Sequence, residues 1–157
     1  MAEGEFALLR QHLEEGLRRT ASWVGDHDLY AMLADAAAQE RDEAELLQYA
    51  PLAEETAERY GHTLYQAIAH RARGVLHRLS GENAASEERL NRALELFRGL
   101  DTRWQIGRTL FELGELARVR KNWPSAREHY SAALVAFEEM RAVPDAERTG
   151  AALGSLD

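Results

Sequence analysis

Small side chains recur in this sequence at a spacing of forty positions. Gly114 follows Gly74 by 40 positions, and Ala133 follows Ala93 by 40 and Ala53 by 80. A recurrence of this length is typical of chains built from stacked helical hairpins, because each hairpin can bury its apolar face only against the next one. We therefore expect one continuous stack of similar units.

The composition indicates helices rather than strands. Hydrophobic residues make up 45% of the chain and charged residues 29%, there are only 3 prolines, and long runs of Val, Ile and Thr are absent. A chain of 157 residues suffices for one domain with a continuous core and is too short for two of ordinary size. We predict an all-α fold in a single domain, 1–157.

The last copy of the repeat carries the most specific pattern. The spacing Leu-Gly, a packing residue three positions on, then Ala-x3-aromatic-x2-Ala is reproduced by Leu113, Gly114, Ala117, Ala126, Tyr130 and Ala133. With this spacing the chain resembles the tetratricopeptide repeat (TPR) family. The resemblance implies a right-handed α-solenoid of antiparallel helix hairpins. In it, Gly114 would let the second helix of the hairpin approach the first closely, and Tyr130 would fill the space towards the next repeat.

The repeat length departs from the family's usual period of about 34 residues. Six additional residues between Ala93 and Gly114 lengthen each helix by most of a turn. Such repeats resemble the elongated TPR repeats of bacterial signalling ATPases and transcription regulators. HEAT-type helix pairs have a similar length but do not require this spacing of small and aromatic residues. The first copy follows the pattern least, with Ala34, Leu46 and Ala50 at the landmark positions, so we expect less regular packing there.

About three and a half repeats, each forty positions long, fit the chain. We place repeats at about 22–61, 62–101 and 102–141, with an N-terminal half-repeat at 5–21 and a short C-terminal helix at 144–153. The predicted helices of the three repeats are 27–40, 43–59, 62–79, 84–99, 102–120 and 124–140.

Proline 51 leaves two alternatives open for the first repeat. Pro51 lies inside the predicted helix 43–59, where it deletes a backbone hydrogen bond and favours a kink. The competing interpretation is one long helix from Asp28 to Ala50, followed by a short one. The capping-box pattern that Asp42 and Glu45 form favours a helix start at residue 43.

Charge and cysteine content argue against several classes of function. The formal net charge is −8, so the chain as a whole would repel nucleic acid. There is no cysteine, which excludes disulfides and thiolate metal sites. No apolar run approaches the ~18 residues needed to span a membrane. Nearly all basic residues are arginine, which is typical of a GC-rich bacterial genome. We expect a bacterial cytoplasmic protein that contacts neither nucleic acid nor membrane.

No residue pattern predicts catalysis, a metal site or a cofactor. His70 and His77 are seven positions apart on one predicted helix, whereas helical metal pairs favour a spacing of four with a supporting carboxylate. At these positions TPR helices carry packing residues, so we interpret both as core or half-buried histidines. Neither a nucleophile elbow nor a glycine-rich phosphate loop is present. We expect a protein that is not an enzyme and needs no cofactor.

The TPR resemblance also implies which residues would face the concave groove. Those positions hold four arginines in an otherwise acidic chain, and the set is Arg71, Val75, Arg78, Arg108, Phe111, Glu115 and Arg118. A local charge opposite to the global one would select a protein or peptide and would favour an acidic one. The alternative is that these arginines are ordinary surface residues paired with carboxylates such as Glu112. Chaperone C-terminus binding is not expected, since Val75 stands where the family's clamp needs asparagine.

Two other functions are open on the sequence alone. Phe6, Leu9, Leu13 and Leu17 share one face of the first predicted helix, and the C-terminal helix is a short cap, so the chain ends could pair as a homodimer or larger homo-oligomer. A small-molecule sensor with a pocket in the groove is the weaker alternative. Our main hypothesis is a non-enzymatic protein-protein interaction scaffold.

Overall fold

A computed structural model describes residues 8, 10–16 and 26–156, and within this part the chain is helical with no strand. The first helix, α1, covers 10–16. The others are α2 (Asp26–Glu40), α3 (Glu43–Tyr60), α4 (Thr63–Leu79), α5 (Asn83–Gly99), α6 (Arg103–Val119), α7 (Trp123–Glu139) and α8 (Val143–Gly154). No helix in the described part is both long and apolar enough to cross a membrane.

The helix bounds from α2 onwards agree with the predicted ones to within a single position. The alternative of one long helix through Ala50 is wrong, because α2 ends at Glu40 and the chain turns at Arg41, which has a left-handed φ of 58°. Pro51 lies inside α3. The Asp42 carboxylate accepts a hydrogen bond from the backbone N–H of Glu45 at 3.0 Å and so caps this helix.

The turns between helices recur every twenty positions, which is half of the forty-position repeat in the sequence. Each of the six turns between α2 and α8 contains one residue with a left-handed φ, and these residues are twenty positions apart: Arg41, Gly61, Gly81, Asp101, Lys121 and Arg141. A residue with a left-handed φ after a helix turns the backbone so that the N–H groups of the turn donate to the last carbonyls of the helix. The chain then reverses its direction. The recurrence of forty positions in the sequence therefore corresponds to two helices and two turns.

Consecutive helices pack against each other along the described chain from α2 to α8. Helices α2 and α3, α4 and α5, and α6 and α7 form antiparallel hairpins, and each hairpin's second helix also packs on the first helix of the next. We call α2, α4, α6 and α8 the A helices and α3, α5 and α7 the B helices. This pattern of neighbours is consistent with a helical repeat.

Two glycines at equivalent positions of successive repeats let the two helices of a hairpin approach closely. A Cβ added to Gly74 would lie 2.6 Å from Leu90 Cγ on α5, and one added to Gly114 would lie 2.6 Å from Tyr130 Cδ1 on α7. These distances are far below van der Waals contact, so no larger residue fits without moving a helix. Both glycines thus lie where the sequence spacing placed them, at helix-to-helix contacts.

The first hairpin packs differently from the later ones, since α2 makes extensive contact with α4 whereas α4 makes little contact with α6. Ala34, Leu46 and Ala50, which replace the repeat landmarks, are all fully buried in a core shared by α2, α3 and α4. The expected departure from regular packing thus agrees with these unequal contacts, and short alanines at Ala34 and Ala50 lie in the core where α2, α3 and α4 meet. Leu13 of α1 is buried in the same core and covers the start of the stack.

Candidate functional site

All seven predicted groove residues lie on α4 and α6, but most are buried. Arg71, Arg78 and Arg108 are 1%, 7% and 5% exposed. Val75, Phe111 and Glu115 are buried too, and only Arg118 has a half-exposed side chain. Their polar ends converge where α2, α4 and α6 meet, a surface that we call the A face.

A carboxylate from the first hairpin lies at the centre of the A face. Asp35 on α2 accepts a hydrogen bond from Arg71 Nη2 at its Oδ1 and one from Arg108 Nη1 at its Oδ2, both at 2.8 Å. Two guanidinium groups from two different A helices thus bind the two oxygens of one carboxylate. Charge-assisted hydrogen bonds of this kind are among the strongest in proteins.

Arg71 has further partners on α6. It donates to the side-chain oxygen of Gln105 at 2.5 Å, to the backbone carbonyl of Gln105 at 3.2 Å and to the hydroxyl of Thr109 at 3.4 Å. Its guanidinium also lies 4.9 Å from the centre of the Phe97 ring. Among the described residues, its Nε atom finds no acceptor although it is buried.

The electrostatics of this triad favour the ionised carboxylate. Burial by itself would raise the pKa of Asp35, but the charges and hydrogen bonds of Arg108 and Arg71 hold that pKa well below its usual range. Burial, and then the like charge of Arg108, lower the pKa of Arg71 to about 10. Asp35 and Arg71 are therefore both charged at neutral pH.

A second group of ion pairs surrounds Glu115. Arg41 from the first turn and Arg118 from α6 both donate to its carboxylate, at 3.2 and 3.0 Å, and the Tyr130 hydroxyl donates at 2.5 Å. Burial opposes ionisation here as well, yet the hydrogen bonds from Arg118 and Tyr130 lower the pKa of Glu115. Arg78 lies next to this group and donates to Glu112 at 2.6 Å.

Three arginines at the edge of the A face remain half exposed. Arg41, Arg118 and Arg148 are 44%, 43% and 45% exposed, and we call them the rim arginines. Arg148 of α8 stacks 4.6 Å above the Phe111 ring and donates to Asp145. The ion pairs of the A face join six arginines to four carboxylates, so the local charge is positive: Arg41, Arg71, Arg78, Arg108, Arg118 and Arg148 against Asp35, Glu112, Glu115 and Asp145.

The structure places three of the four predicted groove arginines inside the protein rather than on an open strip. They are buried because carboxylates of α2 and α6 neutralise them. The space enclosed by Ala38, Gln39, Arg108 and Arg148 measures about 10 Å³, roughly enough for one water molecule. Sequence reasoning missed Asp35, Arg41 and Arg148, which lie outside the α4 and α6 positions that the repeat pattern singled out.

Of the four residues predicted for self-association, only Leu13 lies in the part of the chain that the structure describes. Phe6, Leu9 and Leu17 lie outside the described residues. Leu13 is buried against the first hairpin, so its side chain is not on a surface where a second copy could reach it. At the other end, α8 leaves one face exposed, and a Cβ added to Gly150 or Gly154 would meet nothing within 4 Å.

A second concavity lies between the B helices α3 and α5. It has a volume of about 180 Å³, and half-buried His70 on α4 lies at its edge with Glu54 and Arg92. Glu54 pairs with Arg73 and Arg89, and Arg89 contacts the His70 ring. No cluster of three potential metal ligands occurs among the described residues. This concavity therefore carries mixed charge.

Comparisons with known proteins are consistent with the fold. No family model matches the chain, and no curated protein does, so the TPR resemblance stays a prediction. The crystal structure of BtubC (BKLC) from P. vanneervenii is similar, with a TM-score of 0.74 and 18% sequence identity over 98% of this chain. The match covers 66% of BtubC, so this chain spans a little less than two thirds of that structure's length. At this identity the likeness shows the fold alone, an all-α arrangement of packed helices.

Proposed function

We propose that this chain is a TPR-like, right-handed helical-repeat scaffold without catalytic activity that binds an acidic segment of a partner protein on its A face. The observation that carries the proposal is the rim arginines. Arg41, Arg118 and Arg148 keep nearly half of their side chains in solvent, directly beside a layer of buried ion pairs, in a protein whose net charge is −8. Positive charge concentrated on one surface of an acidic protein favours acidic partners and excludes basic ones.

The stacking of aromatic rings supports this function. Arg108 lies 4.7 Å from the centre of the Trp104 ring, and Arg148 lies over Phe111. Rings hold these guanidinium groups in defined directions, so less side-chain freedom is lost when a partner binds. Arginine binds a carboxylate through two parallel hydrogen bonds, which adds directional specificity to the charge.

The test is binding of a labelled decapeptide of alternating Glu and Asp, measured by fluorescence anisotropy at low ionic strength. The decisive variant is Arg118→Glu with Arg148→Glu, which reverses charge at two half-exposed positions while buried Glu115 keeps Arg41 and Tyr130 as partners. We expect the dissociation constant to rise at least about tenfold, which corresponds to ~1.4 kcal/mol. Binding should also weaken as salt is added, because exposed charges are screened.

A matched control places the same charge change on the B helices. Arg59→Glu with Arg127→Glu alters two exposed arginines of α3 and α7 and should leave peptide binding within about twofold of the parent chain. An uncharged peptide of Asn and Gln should not bind. Equal losses in both double variants would mean that only net charge matters, and the assignment to the A face would then be wrong.

Self-association through α8 is the second candidate function. Gly154 occupies the position of Gly114 one repeat later, yet a Cβ added to it would meet nothing within 4 Å, whereas Tyr130 covers Gly114. An exposed helix face of this kind can pair with another chain. Light scattering over a range of concentrations tests this: a concentration-dependent dimer that Gly154→Arg abolishes would support it, and a monomer throughout would exclude it.

A further inference from the structure

The two arginines that bind Asp35 have other partners, whereas Asp35 itself belongs to a different hairpin. Arg71 is held by Gln105 and Thr109 of α6 and by the Phe97 ring of α5. Arg108 is held by Trp104 of its own helix. None of these contacts involves α2, so groups of the second and third hairpins contact both guanidinium groups independently of Asp35.

Asp35, by contrast, enters this arrangement from the first hairpin. Its side chain is 17% exposed, whereas the guanidinium groups below it are almost completely buried. Gln39 on the same helix donates to its Oδ2 at 3.2 Å and is a neutral partner that can also be solvated. The carboxylate therefore lies between solvent and the two arginines.

We propose that Arg71 and Arg108 form a carboxylate-binding clamp that Asp35 occupies in the unbound protein, and that an aspartate or glutamate side chain of the acidic partner replaces Asp35 there. This inference rests on the proposed function and identifies the group on the partner that is recognised. The space beside the clamp measures about 10 Å³, which is too small for a second carboxylate, so we expect an incoming one to bind both guanidinium groups by displacing Asp35.

The clamp also has a donor that Asp35 does not use. Arg71 Nε is buried and donates to no atom of the described residues, although a buried N–H without an acceptor is costly. A carboxylate approaching edge-on to Arg71 could bind Nε and Nη2 together, which is the bidentate geometry that arginine favours. The incoming group would thus gain a hydrogen bond that Asp35 does not make.

Competition with the carboxylate of Asp35 determines which ligands can bind the clamp. Asp35 is tethered at a high effective concentration, so a single free carboxylate competes poorly. A segment with several acidic residues could first bind the rim arginines and then present one carboxylate to the clamp. The clamp would in this way select acidic segments over isolated carboxylate metabolites.

The experiment removes the internal competitor and supplies a small carboxylate. Asp35→Asn removes the charge that binds this side chain to the two guanidinium groups, so that formate can displace it, and formate is then titrated while the melting temperature is followed. At a formate concentration ten times its Kd, we expect the variant to gain about 3–6 °C, and the parent chain to gain much less. Chloride at equal ionic strength should not reproduce the gain, and an equal gain with chloride would overturn the clamp.

The matched control is Glu54→Gln. Glu54 also bridges two arginines, Arg73 and Arg89, but it does so between α3, α4 and α5 and at partly exposed positions. Formate should therefore stabilise Glu54→Gln no more than the parent chain. If Asp35→Asn does not fold in buffer, far-UV circular dichroism replaces the melting curve, and recovery of helix by formate but not by chloride supports the clamp.

The acidic decapeptide distinguishes this inference from the proposed function. With the competitor gone, Asp35→Asn should bind the peptide about tenfold more tightly than the parent chain. If neither formate nor the peptide responds to Asp35→Asn, while the rim variant still loses peptide binding, the clamp is wrong and the A-face function stands. If the rim variant and the B-helix control variant lose peptide binding equally, the proposed function itself is wrong.

Discussion

Arg108 on α6 binds Asp35 on α2 at 2.8 Å, although 73 residues separate them in the sequence. This ion pair joins the first hairpin to the third directly, across α4. Arg41 in the first turn and Glu115 on α6 make a second contact of the same kind. The A face is therefore closed by side chains, and the ion pairs that stabilise it are the same ones that our proposal assigns to binding.

The first prediction concerns coupling across the A face. Asp35→Leu should destabilise the fold by about 3–5 kcal/mol, because it leaves Arg71 and Arg108 buried without their shared carboxylate. Arg108→Met should cost less, about 1–3 kcal/mol, because Asp35 keeps its ion pair with Arg71. The double variant should cost less than the sum of the two by about 1–3 kcal/mol. Urea unfolding of the four proteins measures this. Asp35→Leu combined with Arg59→Met, which lies on α3 and pairs with Glu55, should be additive to within about 0.5 kcal/mol.

The second prediction uses two glycines in the same register. Gly114→Ala should destabilise the fold by about 1–3 kcal/mol, since the new methyl group would overlap the Tyr130 ring and force α6 and α7 apart. Gly154→Ala adds a methyl group where nothing lies within 4 Å, so its effect should stay within about 0.5 kcal/mol or be stabilising. Thermal unfolding of both variants decides. Equal costs would contradict the helix contact assigned to Gly114.

Much of this fold could be predicted from the sequence because its rules are local. Gly114 and Tyr130 belong to the two helices of one hairpin, so the short spacing between them indicates which small residue faces which large one. The same holds for helix ends such as Asp42, where one side chain caps the next few N–H groups. Repetition of the spacing then extends each inference to the neighbouring hairpin.

The candidate site could be predicted only in part. The repeat pattern placed Arg71 and Arg108 on one surface, but it carries no information about Asp35, whose contact with Arg108 spans almost half of the chain. Whether an arginine in a groove is free or neutralised depends on how far apart the first and third hairpins lie. That distance follows from the packing of every helix between them, not from any single motif.

The third prediction concerns His70 and pH. Burial, and then the charges of Arg89 and Arg92 on α5, act to lower the pKa of His70, while Glu54 and Glu58 on α3 oppose them. The unfolded chain therefore binds a proton at His70 more readily, and stability should fall as the pH drops below about 6.5, the pKa of a free histidine. Replacing His70 with Gln should remove this part of the loss.

Urea midpoints measured between about pH 7.5 and pH 5.5 test the histidine prediction. The decrease should be smaller in His70→Gln than in the parent chain. The control is His12→Gln, which changes an exposed histidine of α1. A pH dependence that is the same in His70→Gln and in the parent chain would contradict the role given to burial at this position.

The fourth prediction concerns the hydroxyl that holds Glu115. Tyr130→Phe removes the 2.5 Å hydrogen bond to this buried carboxylate but preserves the ring that fills the space beside Gly114. Hydrogen bonds to charged groups contribute about 1.5–3 kcal/mol, so we expect a loss in that range. Chemical unfolding measures it. Phe137→Leu in the same helix changes only apolar packing. It gives the cost of a packing change against which the loss of the Tyr130 hydroxyl is compared.

Side-chain NMR of the arginines tests the binding surface most directly. The Nε–H signals of a labelled chain are followed while the acidic decapeptide is added. We predict that shifts concentrate on the rim arginines and on Arg71 and Arg108. Shifts confined to Arg89 and Arg92 beside the concavity between α3 and α5, or spread evenly over all arginines, would contradict an acidic-segment site on the A face.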